Sequence, residues 1–538
     1  MPGTARLQGL VGAENASTPQ VFRARAEQSA GRIFLRWEDA PVRGDAPTRE
    51  DATWSYAKAW ETIRRWAGFL RGLGAGPGRG NSRVAGYLHN RPDALWALLG
   101  THAAGSVYVA LNRQHRGAIL ADHVRRSRAG ILVTEASAVD ALPDLTDTAV
   151  HSLVVVDRAT TPDWVGGDEA LQSPPWSGLD PAPGDPATIM FTSGTTGRSK
   201  AAVIPHNQLC RGAANLAEAV ELAPDDVFHA WLPFFHIAGQ LHTTMCTAVA
   251  GGTLGLVPRF SASRFWAEVR RARATVISGL PAIARILWER PVTADERAAT
   301  PHLRLGIFGP MTPELHRPLE ERLGIRIADT YGMTEAEPLT VPVPGIRQPV
   351  GSCGVAAPDF EIRIAAEDGA ALPPGEHGEI LARPRRPDVL FLGYEGDEDA
   401  TRSTWRDGWF RTGDLAHQDR DGWVYYVDRL AHFIRRRGEN VSAWELQRLI
   451  EEHPAVAEAF VLGVPSPMGE EDVKVVVVPS RGPPLDPAAL HAWCRRRMAA
   501  FMVPRFIEVR DEMPHISVGK VDKDRLRGVA DGVWVAPD

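Results

Sequence analysis

Residues 187–205 read ATIMFTSGTTGRSKAAVIP. The apolar run Thr188 to Phe191 predicts a buried strand. It leads directly into Thr192, Ser193, Gly194, Thr195, Thr196, Gly197, Arg198, Ser199 and Lys200. Two glycines let the backbone turn tightly enough for its N–H groups to point at an anion. Five hydroxyl side chains add donors and Lys200 adds a mobile positive charge, so the loop suits a triphosphate. A surface turn rich in Ser, Thr and Gly has the same composition, but it has no need to follow a buried strand. A Walker A loop is disfavoured, because that motif places four residues between its glycines and ends on Gly-Lys-Ser/Thr.

Outward from the loop, helix-like and strand-like stretches alternate. Ala57 to Leu73 carries apolar residues at helical spacing and stops before Gly74. Arg83 to Leu88, Val107 to Leu111 and Ile131 to Thr134 read as short strands, with a helix over Asp93 to Ala104. This alternation predicts an α/β fold of helix-flanked parallel or mixed sheets. Asp163 to Pro183 reads as loop. From about Glu361 the texture changes to short strands between turns (FEIRIA, GEILAR, GWFRTGDL, GWVYYVDR), a β-rich subdomain. After Arg435 a compact α+β pattern follows: helix Trp444 to Glu452, strands Ala457 to Val464 and Val473 to Pro479, helix Pro487 to Ala499. A boundary is expected within Val427 to Ile434.

The chain has 538 residues, too many for one compact core, with 44% hydrophobic and 23% charged residues. A net charge of −6 gives no reason to expect nucleic acid or an anionic membrane as partner. The clusters Arg435-Arg436-Arg437 and Arg495-Arg496-Arg497 read as solvated faces. Cys210, Cys246, Cys353 and Cys494 are widely spaced, which fits neither a zinc site nor a disulfide scaffold and predicts a reducing cytoplasm. No apolar run approaches the roughly 18 residues of a membrane span, and no signal-peptide pattern opens the chain.

TSGTTGRSK resembles the phosphate loop of the adenylate-forming superfamily: acyl- and aryl-CoA synthetases, peptide-synthetase adenylation domains and luciferases. Four further stretches resemble that superfamily's motifs in the same order. They are Asp329 to Glu335 (DTYGMTE), Thr412 to Leu415 (TGDL), Asp428 to Glu445, and Val518 to Lys523 (VGKVDK). The stretch GENVSAWEL is most similar to CoA ligases of the crotonobetaine/carnitine-CoA ligase type. The resemblance implies domains over 1–428 (ATP and acid binding) and 435–538 (small, mobile), joined by a hinge over 429–434 that includes His432. It implies ATP and Mg2+ as cofactors, CoA as acceptor, and a small-molecule acid as substrate. In it, Thr192 to Gly197 and Lys200 hold phosphate, with Gly309, Asp329 and Gly332 also at the nucleotide. Thr334 bonds the α-phosphate, Glu335 holds the metal, Tyr331 offers adenine a flat face, Asp414 takes the ribose hydroxyls, and Arg429 contacts the nucleotide. Lys520 is the catalytic lysine, supplying charge in the transition state of adenylation. Arg437, Gly438, Glu439 and Asn440 would line the thiol channel once the small domain swings.

The acid pocket is assigned to Phe235 and His236 of WLPFFHIAG, with Gly279, Phe308 and Met333; packing explains such an aromatic run equally well. Taken on its own, Tyr331 to Glu335 also reads as a capped helix start, Asp414 as a turn-former, and Lys520 as a solvated lysine. The chain departs from the superfamily pattern at Ser199-Lys200-Ala201, at Ala431-His432 and at Gly306-Ile307-Phe308-Gly309-Pro310, where Ile307 and Phe308 are expected to fill space. Alternative acceptors are a carrier-protein thiol in trans or an amine, and the acid could be an unusual oxyanion such as nitrite. A nucleotide-sensing pseudoenzyme is the non-enzymatic alternative. A homodimer is compatible with the sequence.

Overall fold

The computed structural model describes residues 2–38, 52–77, 83–178, 180–192, 199–311, 313–429, 434–437, 439–441, 443–467, 469–480, 485–514, 521, 525–529 and 532–537. Lys520, His432 and Gly438, together with Ser193 to Arg198 of the phosphate loop, lie outside them.

Two large sheets carry the nucleotide and acid segments. In one of eight strands, Arg83–Tyr87 lies between Tyr108–Ala110 and Ala129–Thr134, all parallel. Tyr108–Ala110 pairs in parallel with Pro186–Thr192, which turns back antiparallel onto Lys200–Pro205. The other sheet has seven strands, among which Val227–Ala230, Val276–Gly279, Leu305–Phe308 and Arg326–Asp329 run parallel. Buried on both faces, these strands are short apolar runs without alternation. Helices cover them because their sequences form one apolar stripe each. In Tyr56–Gly72, Ala59, Ile63, Trp66 and Leu70 are buried, and Ser55 caps the start by accepting the Lys58 N–H at 3.2 Å. Each such large side chain contributes about 1.5–3 kcal/mol by leaving water.

The β-rich part is antiparallel: Phe360–Ala365, Gly378–Pro384, Trp409–Gln418 and Val424–Arg429 pair in that order. The C-terminal part has its own apolar cluster, including Ile434, Leu446, Ile450, Val475, Leu490 and Ile507. Ile119, on helix Gly117–Ser127 of the large domain, joins that cluster. The stretch 163–183, read as loop, contains a short strand, Val165–Gly166, and the helix Asp168–Gln172.

One buried polar group spans three helices. The Thr18 hydroxyl sits 2.9 Å from His102 Nδ1 and 3.1 Å from His206 Nδ1, and the two imidazoles meet edge to face at 5.0 Å. Burial drives the His102 pKa down to about 3 and that of His206 well below the ordinary value. No helix among the described residues is long and apolar enough to cross a membrane.

Candidate active site

The carboxyl ends of parallel strands in both sheets open on one cavity of about 560 Å³. This is where α/β sheets usually hold ligands. From the seven-stranded sheet come Leu232, Phe235 to Ala238, Ser278 to Pro281, Ile307 to Pro310 and Thr330 to Glu335; from the eight-stranded sheet come Ala110, Asn112, Phe191, Thr192 and Lys200.

The groups expected at the nucleotide are held by hydrogen bonds between motifs. Tyr331–Met333 is a strand paired antiparallel with Ala336–Val341, so Thr334 and Glu335 form the turn of a hairpin; the helix-start reading of this motif is wrong. The Tyr394 hydroxyl donates to Glu335 Oε1 at 2.7 Å, and Lys200 Nζ lies 4.8 Å above the Tyr394 ring. The Tyr331 hydroxyl donates to Asp414 Oδ2 at 2.6 Å, with the Tyr426 ring 5.8 Å from that of Tyr331. The Thr-Gly-Asp turn has a physical basis. Gly413 takes φ +73°, a left-handed conformation that glycine enters without strain. Its N–H donates to Glu379, and the Thr412 hydroxyl donates to the Ile380 carbonyl while accepting the Asp414 N–H. Arg429 is the register partner of Asp414.

Asp329, expected among the nucleotide contacts, is not on the cavity wall. It is fully buried, and its Oδ2 faces His316 Nδ1 at 3.0 Å and the Met311 N–H at 3.3 Å. Burial raises its pKa, partly opposed by His316. Phe308 does not plug the cavity either. Its ring packs beside Gly279 and Gly306, where a Cβ would come within 3.0 Å of Cε1 and 2.8 Å of Cε2 respectively. Two missing side chains thus make room for one large one, and Phe308 joins the apolar cluster of Ile277, Ile283 and Met311.

Of the residues expected at the acid, Phe235, His236, Gly279, Phe308 and Met333 all line the cavity. The hairpin Ile434–Arg436/Glu439–Val441 from the C-terminal part reaches this wall, placing Glu439 Oε2 2.9 Å from His236 Nε2. Burial opposes charge on both groups, but their mutual attraction outweighs it, raising the His236 pKa and lowering that of Glu439. His236 still faces open cavity, with 42% of its side chain accessible. Burial pushes His115, also on the wall, down to about 4 despite the nearby Glu439 carboxylate. Arg437 is exposed and off the cavity wall.

Sequence reasoning missed Tyr394, Glu379, His115 and the pair His242–Glu337. Only the last carried a usable signal, a carboxylate two residues after Glu335.

Comparison with known proteins agrees with this geometry. Residues 22–394 match the AMP-binding enzyme family, and 445–520 match the AMP-binding enzyme C-terminal domain. A crotonobetaine/carnitine–CoA ligase of Salmonella typhi is 33% identical over 84% of this chain and 89% of its own length. The structure of the amide bond synthetase McbA from Marinactinospora thermotolerans superposes with a TM-score of 0.79 at 26% identity, covering 98% and 99% of the two chains. A variant of o-succinylbenzoate CoA synthetase (MenE) from Bacillus subtilis, bound with a product analogue, gives 0.77 at 25%, covering 95% and 98%.

Proposed function

We propose, from the premise that this chain belongs to the AMP-binding enzyme family and is an ATP-using, AMP-forming ligase, that it joins a small carboxylic acid to CoA through an acyl-adenylate. One observation carries this reading. A single cavity is lined by Thr334, Glu335 and Asp414, by His236 and Met333, and by Glu439 of the C-terminal hairpin. Nucleotide, acid and an incoming thiol thereby have adjoining walls.

In the first half-reaction a carboxylate oxygen attacks the α-phosphorus, the bond to the β-phosphate oxygen breaks, and pyrophosphate leaves. The protein's contribution is alignment and charge neutralisation. Lys200 and the loop before it bind phosphate, and Thr334 donates to the α-phosphate. Asp414, oriented by Tyr331, accepts from the ribose, and Lys520 neutralises charge as it develops. Mg2+ fits the donor set. Glu335 is a wall carboxylate whose Oε1 is fixed by Tyr394 and whose Oε2 has no hydrogen-bond partner among the described residues. It would share the ion with substrate phosphates, as a hard cation prefers, and the ion would offset phosphate charge. In the second half-reaction the CoA sulfur attacks the acyl carbon and AMP leaves. The Glu439–His236 contact holds the hairpin against the cavity wall for that step, with residues 429–434 as hinge.

A second reading, transfer to an amine, is favoured by the likeness to an amide bond synthetase. Pyrophosphate release over a panel of acids, each with and without CoA, tests both. Thioester and AMP formed only with CoA support the first, and amide formed from an added amine without CoA supports the second. Release of orthophosphate in place of pyrophosphate would sink both.

A further inference from the structure

Resting on the reading of Lys520 as the adenylating lysine, we infer that Lys474 is its positioning residue: a buried ammonium that fixes the course of the chain leaving Lys520, so that adenylation depends on it and acyl transfer does not. Lys474 lies in the C-terminal sheet, whose strands Val456–Pro465, Glu471–Pro479 and Phe506–Val509 pair in that order. Side chains alternate between the two faces of such a sheet. One face, with Val461, Val475, Val477 and Ile507, packs in one cluster with the helices Ala443–Glu451 and Pro487–Arg497. The other presents Leu462, Lys474 and Val476, with Phe506 and Glu508 in register beside the last two. The chain around Lys520 covers this second face. Met513 before it, with Val521, its direct neighbour, and Leu526 after it, join Val476 and Leu462 in one small apolar cluster.

Lys474 ties that cover down. Its side chain is 2% exposed, and Glu508 Oε2 lies 2.6 Å from Nζ as counter-charge. Nζ also donates to the Leu526 carbonyl at 3.0 Å and to the Gly528 carbonyl at 2.6 Å. Taking an ammonium out of water is costly, and apolar residues in place of a buried ion pair often leave a protein equally stable or more so. Holding the sheet together is therefore a poor reason for a lysine here. What an apolar side chain lacks is direction. Apolar contact alone tolerates a shifted tail, whereas donors aimed at carbonyls two residues apart fix its register. A charge that acts in the transition state has to be held where the opposite charge develops.

The test compares Lys474→Met and Lys520→Ala with wild type in the full chain. Arg510 also pairs with Glu508, so the first variant leaves that carboxylate a cation, and its unfolding midpoint should stay near that of wild type. Limited trypsinolysis, read by mass, needs no substrate. Cleavage after Arg525 and Arg527 should be about tenfold faster in Lys474→Met, as for a lost charged hydrogen bond. With whichever acid of the pyrophosphate panel reacts fastest, Lys474→Met should slow pyrophosphate release by about 10- to 100-fold at unchanged ATP KM. Transfer to CoA from the synthetic adenylate of that acid should stay within about twofold of wild type. A variant that merely loosened the C-terminal part would slow both steps, because the hairpin bearing Glu439 belongs to it. Equal loss in both steps, undiminished pyrophosphate release or unchanged cleavage each overturns the inference. Loss in Lys520→Ala but not in Lys474→Met sinks this inference alone. Undiminished release by Lys520→Ala sinks the assignment of Lys520, and no release with any acid sinks the ligase reading; either takes this inference with it. Should Lys474→Met not fold, Glu508→Gln takes its place, with the same selectivity for adenylation expected and a smaller loss.

Discussion

The two ends of the cavity are built differently. The end proposed for the nucleotide is made of short contiguous turns: the hairpin Lys200 closes, the Thr334-Glu335 turn, and the turn at Gly413. Tyrosine hydroxyls brace two of them, Tyr394 on Glu335 and Tyr331 on Asp414. The end proposed for the acid is assembled from single side chains on separate elements: His236 after one strand, Phe308 ending another, Glu337 on a third, Glu439 from another part of the chain. The first arrangement suits a ligand whose phosphates and sugar never change. The second lets individual side chains change with little effect on the backbone. What the difference teaches is that substitutions at the two ends should fail in different currencies, rate at one and selectivity at the other.

The largest effect should come from Lys520→Ala. Adenylation is expected to drop by about 10³-fold, the scale of losing one preorganised charge on the developing anion, while ATP binding stays near normal by titration. Equal pyrophosphate release by variant and wild type would remove Lys520 from the nucleotide end. Next, Glu335→Gln should cut pyrophosphate release by about 10²-fold and raise the Mg2+ needed for half-maximal rate. A change in rate with no change in Mg2+ demand would assign Glu335 a packing role instead.

At the acid end, Glu439→Gln should slow thioester formation by about fivefold, roughly 1 kcal/mol for a charged pair whose imidazole is partly open to water, with adenylation little changed in a single-turnover assay. Parallel loss of both half-reactions would count against a hairpin that serves the thiol step. The same pair has a pH signature. With the His236 pKa raised, its charge is complete below the ordinary imidazole value and fades as pH rises through the raised one. Thioester formation should weaken over that window, and His236→Gln should abolish the slope. The smallest rate effect is expected from Phe308→Ala, under about threefold with the wild type's own acid. It should nevertheless cost about 3–5 kcal/mol in denaturant unfolding, as emptied aromatic sites do. A broadened acid range without that cost would make Phe308 a pocket side chain alone, not one the core depends on.

Legibility followed the same divide. A glycine-hydroxyl loop after an apolar strand, or Thr-Gly-Asp between short strands, keeps its chemistry within a few residues, so the sequence displays it whole. Tyr394 touches Glu335 from 59 residues away, and nothing in FLGYEG marks it as a brace. Glu337 was passed over because its imidazole partner lies 95 residues upstream. Tyr331 to Glu335 misled in its alternative reading because so short a run has no decisive period, and pairing with Ala336–Val341 settles it as hairpin. Phe308 looked obstructive because one strand was read alone. Its accommodation depends on Gly279, which the register sets directly opposite.

The imidazole pair beside Thr18 sets an acid boundary for every such measurement. Both rings are buried uncharged, and the His102 pKa is about 3 in the fold against an ordinary value of 6.5. As pH falls below 6.5 the unfolded chain takes up protons that the native one refuses, so stability declines with every step toward acid. At pH 5 His102 alone withdraws about 2 kcal/mol, and His206 adds to it. The acid limb of a rate profile for this protein therefore carries a loss of stability beside whatever titrates in the cavity.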